Sequence, residues 1–344
     1  MITTLTLPRL FDAHVHFRND EMLQLVVPFT AKYASHAIVM PNTRPRAILT
    51  AEDVVWYNSE IERTLDQLRP RPNFKPLMTI EIRDNTTPEI VARAHKVGAV
   101  AGKVYPLGVT TNSNEGLRNF FSKESLETFE AMQFLGMPLL IHGELDLPRT
   151  LVTKREEVFL PTFLRLADRF PKLKMVLEHI TTKAAVATIR HLGPNINATI
   201  TAHHLCTTLN DVVGDGIRPH NMCMPIPKDF EDRDALISAV ISGNPKFFLG
   251  SDTAPHPREK KECARGACGV FSAPILPELL AEIFEKANGL SYLEEFACDF
   301  GAEFYGLKPA TEKITLIKEA WTVPEIYGNV VPFMAGEALQ WKLL

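Results

Sequence analysis

The chain has 344 residues, 45% of them hydrophobic, and a formal charge of −4 from 37 lysines and arginines against 41 aspartates and glutamates. That is enough apolar material for one large α/β domain or two smaller ones, and a near-balanced charge without long runs of one sign excludes a nucleic-acid footprint or a polybasic membrane anchor. No segment reaches the roughly 18 apolar residues that span a bilayer, and the start, Met1-Ile2-Thr3-Thr4-Leu5, lacks a secretory leader pattern, so a cytoplasmic protein is expected.

Short runs rich in Val, Ile, Leu and Phe alternate with helix-period stretches, the pattern of βα units on a parallel sheet. Strands are predicted at residues 9–16, 36–41, 75–82, 100–105, 138–142, 174–179, 197–202 and 246–250. Helices are predicted at 51–68, 88–96, 123–135, 154–169, 182–191 and 231–242, several opening after a Thr or Asn suited to capping. Eight strands alternating with helices is the count of a (β/α)8 TIM-type barrel. A doubly wound open sheet is the alternative, but its first strand usually leads into a Gly-rich phosphate turn, where this chain has His14-Val15-His16. No linker or low-complexity segment divides the sequence, so one domain over 1–344 is expected. Residues 311–344, interrupted by Pro324, Gly328 and Pro332, break the βα pattern and form a C-terminal extension packed on the barrel. The five cysteines are too few and scattered for a disulfide framework; reduced thiols are expected, with Cys263 and Cys268 as loop residues.

The C-terminal strand ends of a barrel converge on the face that holds the active site. His14 and His16, two apart on a strand, point to one side. Asn42 follows the second predicted strand, Lys103 ends the fourth, His142 the fifth and His179 the sixth, and Asp252 follows the eighth. A lone histidine here reads as a satisfied core or rim residue. Polar residues at the same end of six strands are not explained that way. Neutral imidazoles and a carboxylate suit zinc, and two ions about 3.5–4 Å apart can polarise one carbonyl together. Lys103 lies inside the apolar run 99–105, where an ammonium is costly to bury. It either pairs with a carboxylate or snorkels, or its neutral amine has captured carbon dioxide as a carbamate that offers one oxygen to each ion. Residue chemistry leaves these readings open.

The blocks Phe11-Asp12-Ala13-His14-Val15-His16-Phe17-Arg18, Met40-Pro41-Asn42, Lys103-Val104-Tyr105-Pro106, Ile141-His142-Gly143-Glu144, Leu177-Glu178-His179-Ile180-Thr181-Thr182-Lys183 and Gly250-Ser251-Asp252-Thr253-Ala254-Pro255-His256 resemble the dihydroorotases of the amidohydrolase superfamily, in their shorter bacterial-type stand-alone class. The resemblance runs in family order from His14 to the 331–337 tail. It implies reversible cyclisation of N-carbamoyl-L-aspartate to L-dihydroorotate and water, a step of pyrimidine biosynthesis. It implies two zinc ions per chain, one held by His14, His16 and Asp252, the other by His142 and His179, bridged by N6-carboxylated Lys103 and a hydroxide. Asp252 would be the general acid and base. Arg18, Asn42 and His256 would bind the substrate carboxylate, backbone near Met224, Cys268 and Gly269 would meet the ring amide edges, and Thr110 and Thr111 would close over it from the loop 107–114. Relatives also imply a homodimer.

Arg18 supports a carboxylate ligand on independent grounds, as a planar fork with fixed charge. Competing readings are a hydantoinase- or allantoinase-type cyclic amidase, whose neutral ring needs no such carboxylate pocket, and a non-catalytic barrel of the same fold. His36, His95, His191 and His220 are expected in helices or loops without a metal role, and His203 and His204 at the end of the seventh strand.

Overall fold

A computed structural model describes residues 2–344. The predicted barrel is present. After a short strand β1 (Thr4–Pro8), eight parallel strands follow in chain order: β2 (Leu10–Val15), β3 (Ala34–Val39), β4 (Lys75–Ile82), β5 (Ala101–Val104), β6 (Leu139–His142), β7 (Met175–Glu178), β8 (Ile196–Ile200) and β9 (Phe247–Leu249). Each pairs with the next in sequence. The ring closes at its C-terminal mouth, where the Asp252 N–H donates to the His14 carbonyl at 2.9 Å and the His16 N–H to the Thr253 carbonyl at 3.0 Å.

The strands are buried on both faces, as parallel strands inside a helical ring must be. Phe11, Ala13, Ile38, Met40, Leu77, Ala101, Leu140, Val176 and Phe248 form an inner cluster with Ala302 and Phe304 of the helix Phe300–Phe304. This apolar plug fills the barrel interior, so polar chemistry is left to the C-terminal mouth. The larger core lies between strands and helices. Helices start where side-chain caps permit: Thr50 and Asp53 form a reciprocal capping box on Ala51–Leu65, and Thr182 accepts from the Ala185 N–H ahead of Lys183–His191.

Several elements depart from expectation. Helices Asp20–Tyr33 and Leu276–Lys286 were not predicted; the first carries Pro28 in its interior and the second Pro277 in its first turn, and both are set by packing of their apolar faces. The extension supplies strand β10 (Lys313–Ile317), which pairs antiparallel with β1 and with the final strand Lys342–Leu343 in a separate three-stranded sheet. His36 sits in β3, half-buried, rather than in a helix or loop. His203 and His204 lie in the short helix Ala202–Cys206, begun by a Thr201 cap, instead of ending the seventh barrel strand. No helix among the described residues is long and apolar enough to cross a membrane.

Candidate active site

The mouth holds a narrow cleft with a floor of histidines and Asp252. Strand β2 delivers the first two. Its register against β3 shifts so that Asp12 opposes Ala37 while Val15 opposes Val39. The extra residue is a bulge at Ala13-His14, which re-aims the His14 ring. Asp12 fixes this bend by accepting from the His14 N–H at 3.2 Å and, across the barrel seam, from the Ser251 N–H at 2.8 Å. His179 follows directly on β7 and Asp252 comes three residues after the end of β9, with φ of 42° and 45°. Non-glycine residues seldom adopt positive φ, and here it turns both side chains back into the mouth.

The donor atoms are close. His14 Nε2 lies 3.2 Å from His16 Nε2, and Asp252 Oδ1 lies 3.3 Å from the former and 3.1 Å from the latter. Across the floor, His142 Nδ1 is 3.2 Å from His179 Nε2. Ligands bound tetrahedrally at about 2.0–2.2 Å sit roughly 3.3 Å apart, so these spacings fit the edges of two cation sites. Behind His142, Glu144 Oε2 lies 2.7 Å from Nε2 in a hydrogen bond; behind His14, Glu178 Oε1 lies 3.1 Å from Nδ1 without a well-directed one. Carboxylates behind metal-binding imidazoles fix tautomer and ring angle. Lys103 is fully buried between the two groups, its Nζ in contact with the Glu178 carboxylate without a well-directed hydrogen bond.

Burial holds the pKa of His14 and His179 well below the imidazole range and that of Lys103 well below the ammonium range. Burial would push Asp252 up, but His14, His16 and His179 around it outweigh that and hold it well below the carboxylate range. Neutral imidazoles, a neutral amine and an ionised carboxylate are the forms in which these groups bind cations.

The wall is different in kind. Arg18, at φ 60°, donates from Nε to the Pro255 carbonyl at 3.0 Å, while its own carbonyl accepts from the Tyr57 hydroxyl. His256 Nε2 lies 3.1 Å from the Arg18 guanidinium and 3.0 Å from the Cys268 carbonyl. The loop bearing Thr110 and Thr111 is folded over the cleft: the Thr111 hydroxyl donates to the Cys268 carbonyl at 3.2 Å, and Asn42 Nδ2 donates to the Thr111 carbonyl at 3.3 Å. Arg18, Asn42, Thr110, Thr111, Met224, Cys268 and Gly269 all line the cleft with His14, His16, His142, His179 and Asp252. Two predicted residues do not: Lys103 lies beneath the floor and His256 behind Arg18.

Four residues carry parts of this site that the sequence reading left without a role. Glu144 and Glu178 were visible as carboxylates beside histidines at strand ends. Tyr105 and Ala254 line the cleft, the Tyr105 hydroxyl buried without a partner among the described residues. His203, His204 and Cys223 form a separate buried group. His204 there is bonded at both nitrogens, to the Thr201 hydroxyl and the Pro225 carbonyl, so it offers no free ligand.

The amidohydrolase family model matches residues 5–325. A dihydroorotase of Photobacterium profundum is 45% identical over 349 residues, spanning 100% of both chains. One from Picosynechococcus sp. is 44% identical over 344 residues, spanning 98% of each. Among solved structures, a dihydroorotase from Campylobacter jejuni superposes with TM-score 0.90 at 38% identity, over 100% of this chain and 98% of that one. Dihydroorotase from Saccharomyces cerevisiae, solved in complex with 5-fluoroorotic acid, gives TM-score 0.91 at 33% identity, over 100% and 99%.

Proposed function

Because the chain belongs to the amidohydrolase family and, within it, to the dihydroorotases, we propose that this cleft interconverts N-carbamoyl-L-aspartate and L-dihydroorotate with a pair of zinc ions. His14, His16 and Asp252 would hold one ion and His142 and His179 the other. The neutral Lys103 amine would add to carbon dioxide, forming an N–C bond and releasing one proton, and the resulting carbamate would offer an oxygen to each ion. Bound zinc supplies Lewis acidity at the amide carbonyl and lowers the pKa of water.

The protein's own groups do the rest. Arg18 offers a charged fork and Asn42 an amide to the substrate carboxylate, with His256 holding the guanidinium in place. Backbone at Met224, Cys268 and Gly269 meets the ring amide edge. Thr110 and Thr111 cover the carboxylate and exclude bulk water. In ring opening, water oxygen adds to the amide carbon. Asp252 takes the proton and returns it to the leaving ring nitrogen as the C–N bond breaks. In ring closure, Asp252 takes the proton from the ureido nitrogen instead.

The observation that carries this reading is the pairing of two cation-sized donor groups on the floor with an arginine-amide anchor on the wall. A cyclic amidase for neutral rings has no use for that anchor. The reading extends to a single barrel domain over residues 1–344, with 311–344 as its C-terminal extension, in a cytoplasmic homodimer. The test follows the ultraviolet absorbance of L-dihydroorotate with protein as purified, after chelation, and after zinc is restored. Ring opening that is lost and regained is the expected result; zinc-loaded protein that turns over neither this substrate nor its open form would overturn the reading.

A further inference from the structure

Lys261 ends the short helix Arg258–Lys261 in the segment Arg258-Glu259-Lys260-Lys261-Glu262, which reads as a solvated charge run. The other four residues are exposed, whereas Lys261 is only 4% exposed. Its ammonium has no carboxylate partner. Instead Nζ donates to two backbone carbonyls, that of Met222 at 3.2 Å and that of Gly269. The Met222 carbonyl also accepts from the Gly269 N–H at 2.9 Å, so one cation and one backbone hydrogen bond join the two segments.

These segments are the cleft wall. Met224, Cys268 and Gly269 line the cleft together with Ala254, whose N–H donates to the Val270 carbonyl at 2.7 Å. The packing leaves no slack: Gly269 has φ 150°, and a Cβ there would sit 2.3 Å from the Ala254 carbonyl oxygen. The Cys268 carbonyl, one residue before the Gly269 anchor, receives the Thr111 hydroxyl of the covering loop. A change in the Met222 or Gly269 peptide plane would therefore reach both the ring-binding backbone and the seat of the loop.

We propose that Lys261 is a positioning residue for the substrate, its buried ammonium clamping the Met222 and Gly269 carbonyls and so setting the backbone wall against which the ring amide edge binds. This rests on the reading of that wall as the ring contact. A buried charge that served folding alone would have no reason to bridge the two segments lining the cleft. Charge-assisted bonds to two carbonyls hold both planes more firmly than a neutral donor could. The lysine touches neither the substrate nor the metal donors, so its loss acts on affinity and leaves the chemical step in place.

The test is Lys261→Met in zinc-loaded protein, with KM and kcat for N-carbamoyl-L-aspartate and metal content measured together. The expected result is a KM raised about tenfold, kcat within about threefold of wild type and unchanged metal content. Lys261→Ala, studied beside it, leaves a void for a primary alkylamine, and recovery of KM with added propylamine is expected. Unchanged KM in both variants, or a defect confined to kcat or metal content, overturns the clamp. Arg18→Met separates the two levels of the argument. If it raises KM while both Lys261 variants leave it unchanged, only the clamp fails; if Arg18→Met also leaves KM unchanged, the substrate-pocket reading fails with it.

Discussion

At the floor of the cleft the working groups are side chains seated on strand ends; at the wall they are backbone groups held by side chains behind them. Lys103 and Lys261 represent the two regions. Both are buried, and burial lowers the pKa of each. Lys103 meets the Glu178 carboxylate and the face of the Tyr105 ring, and burial lowers its pKa well below the ammonium range. Lys261 has two carbonyl acceptors, and its pKa falls only to about 8, so it stays largely a cation at neutral pH. Burial thus favours the proposed carbamate at one lysine and leaves the other a fixed donor. What decides is whether oriented dipoles replace the lost water.

The comparison is most directly broken at the floor. Asp252→Asn keeps the shape of the site and removes the proposed proton carrier, and kcat should fall by roughly 10²–10⁴-fold, measured at saturating substrate. The wall is untouched, so affinity for L-dihydroorotate, read by equilibrium binding, should persist. Near-normal turnover would remove Asp252 from its role. A smaller effect is expected one layer further out. Glu144→Gln leaves the His142 ring in place but replaces its carboxylate partner, and zinc affinity by competition with a chelator should fall about 10–100-fold. Unchanged affinity would mean that the 2.7 Å contact between Glu144 and His142 does not orient the ligand.

A different kind of effect concerns the wall and is a matter of pH. Lys261 has a folded pKa of about 8 against an ordinary 10.5, lowered by burial first, with Arg18 also lowering it and Cys223 and Cys268 opposing; the His203 and His256 rings lie within its field. Below pH 8 both states bind the proton and the full burial cost is present. Between about 8 and 10.5 the unfolded chain holds more protons, so folded stability rises with pH. Relative to Lys261→Met, wild type should gain about 3 kcal/mol across that window, read from denaturant midpoints at each pH. A constant difference would show that the buried amine does not titrate there.

This contrast also explains what could be read from the sequence. His14, His16, Lys103, His142, His179 and Asp252 were legible because their chemistry is in the residue type and their position follows from counting strands. The barrel was legible for the same reason: each strand is a short apolar run followed by a helix. Lys261 was not, because Arg258-Glu259-Lys260-Lys261 differs from a solvated run only in what the fold lays over its last residue. Glu144 and Glu178 were within the quoted blocks, but the nitrogen each faces depends on ring orientations that sequence does not supply. The pairing of β1 with β10, Thr4 opposite Ile317, joins the two ends of the chain and leaves no local signature. Positive φ at Arg18, His179 and Asp252 was likewise hidden, since even Asp and His, the more tolerant types, adopt it in only a minority of their positions.

The central claim is that the floor holds a metal pair bridged through Lys103. Its most direct test is zinc stoichiometry by elemental analysis in wild type and Lys103→Ala, both prepared with ¹³C-bicarbonate, alongside the ¹³C carbamate resonance. The account predicts about two zinc ions per chain and a carbamate signal in wild type, with the signal absent and zinc reduced in the variant. A wild type carrying two ions without a carbamate signal, or a Lys103→Ala protein that retains both ions, would contradict it.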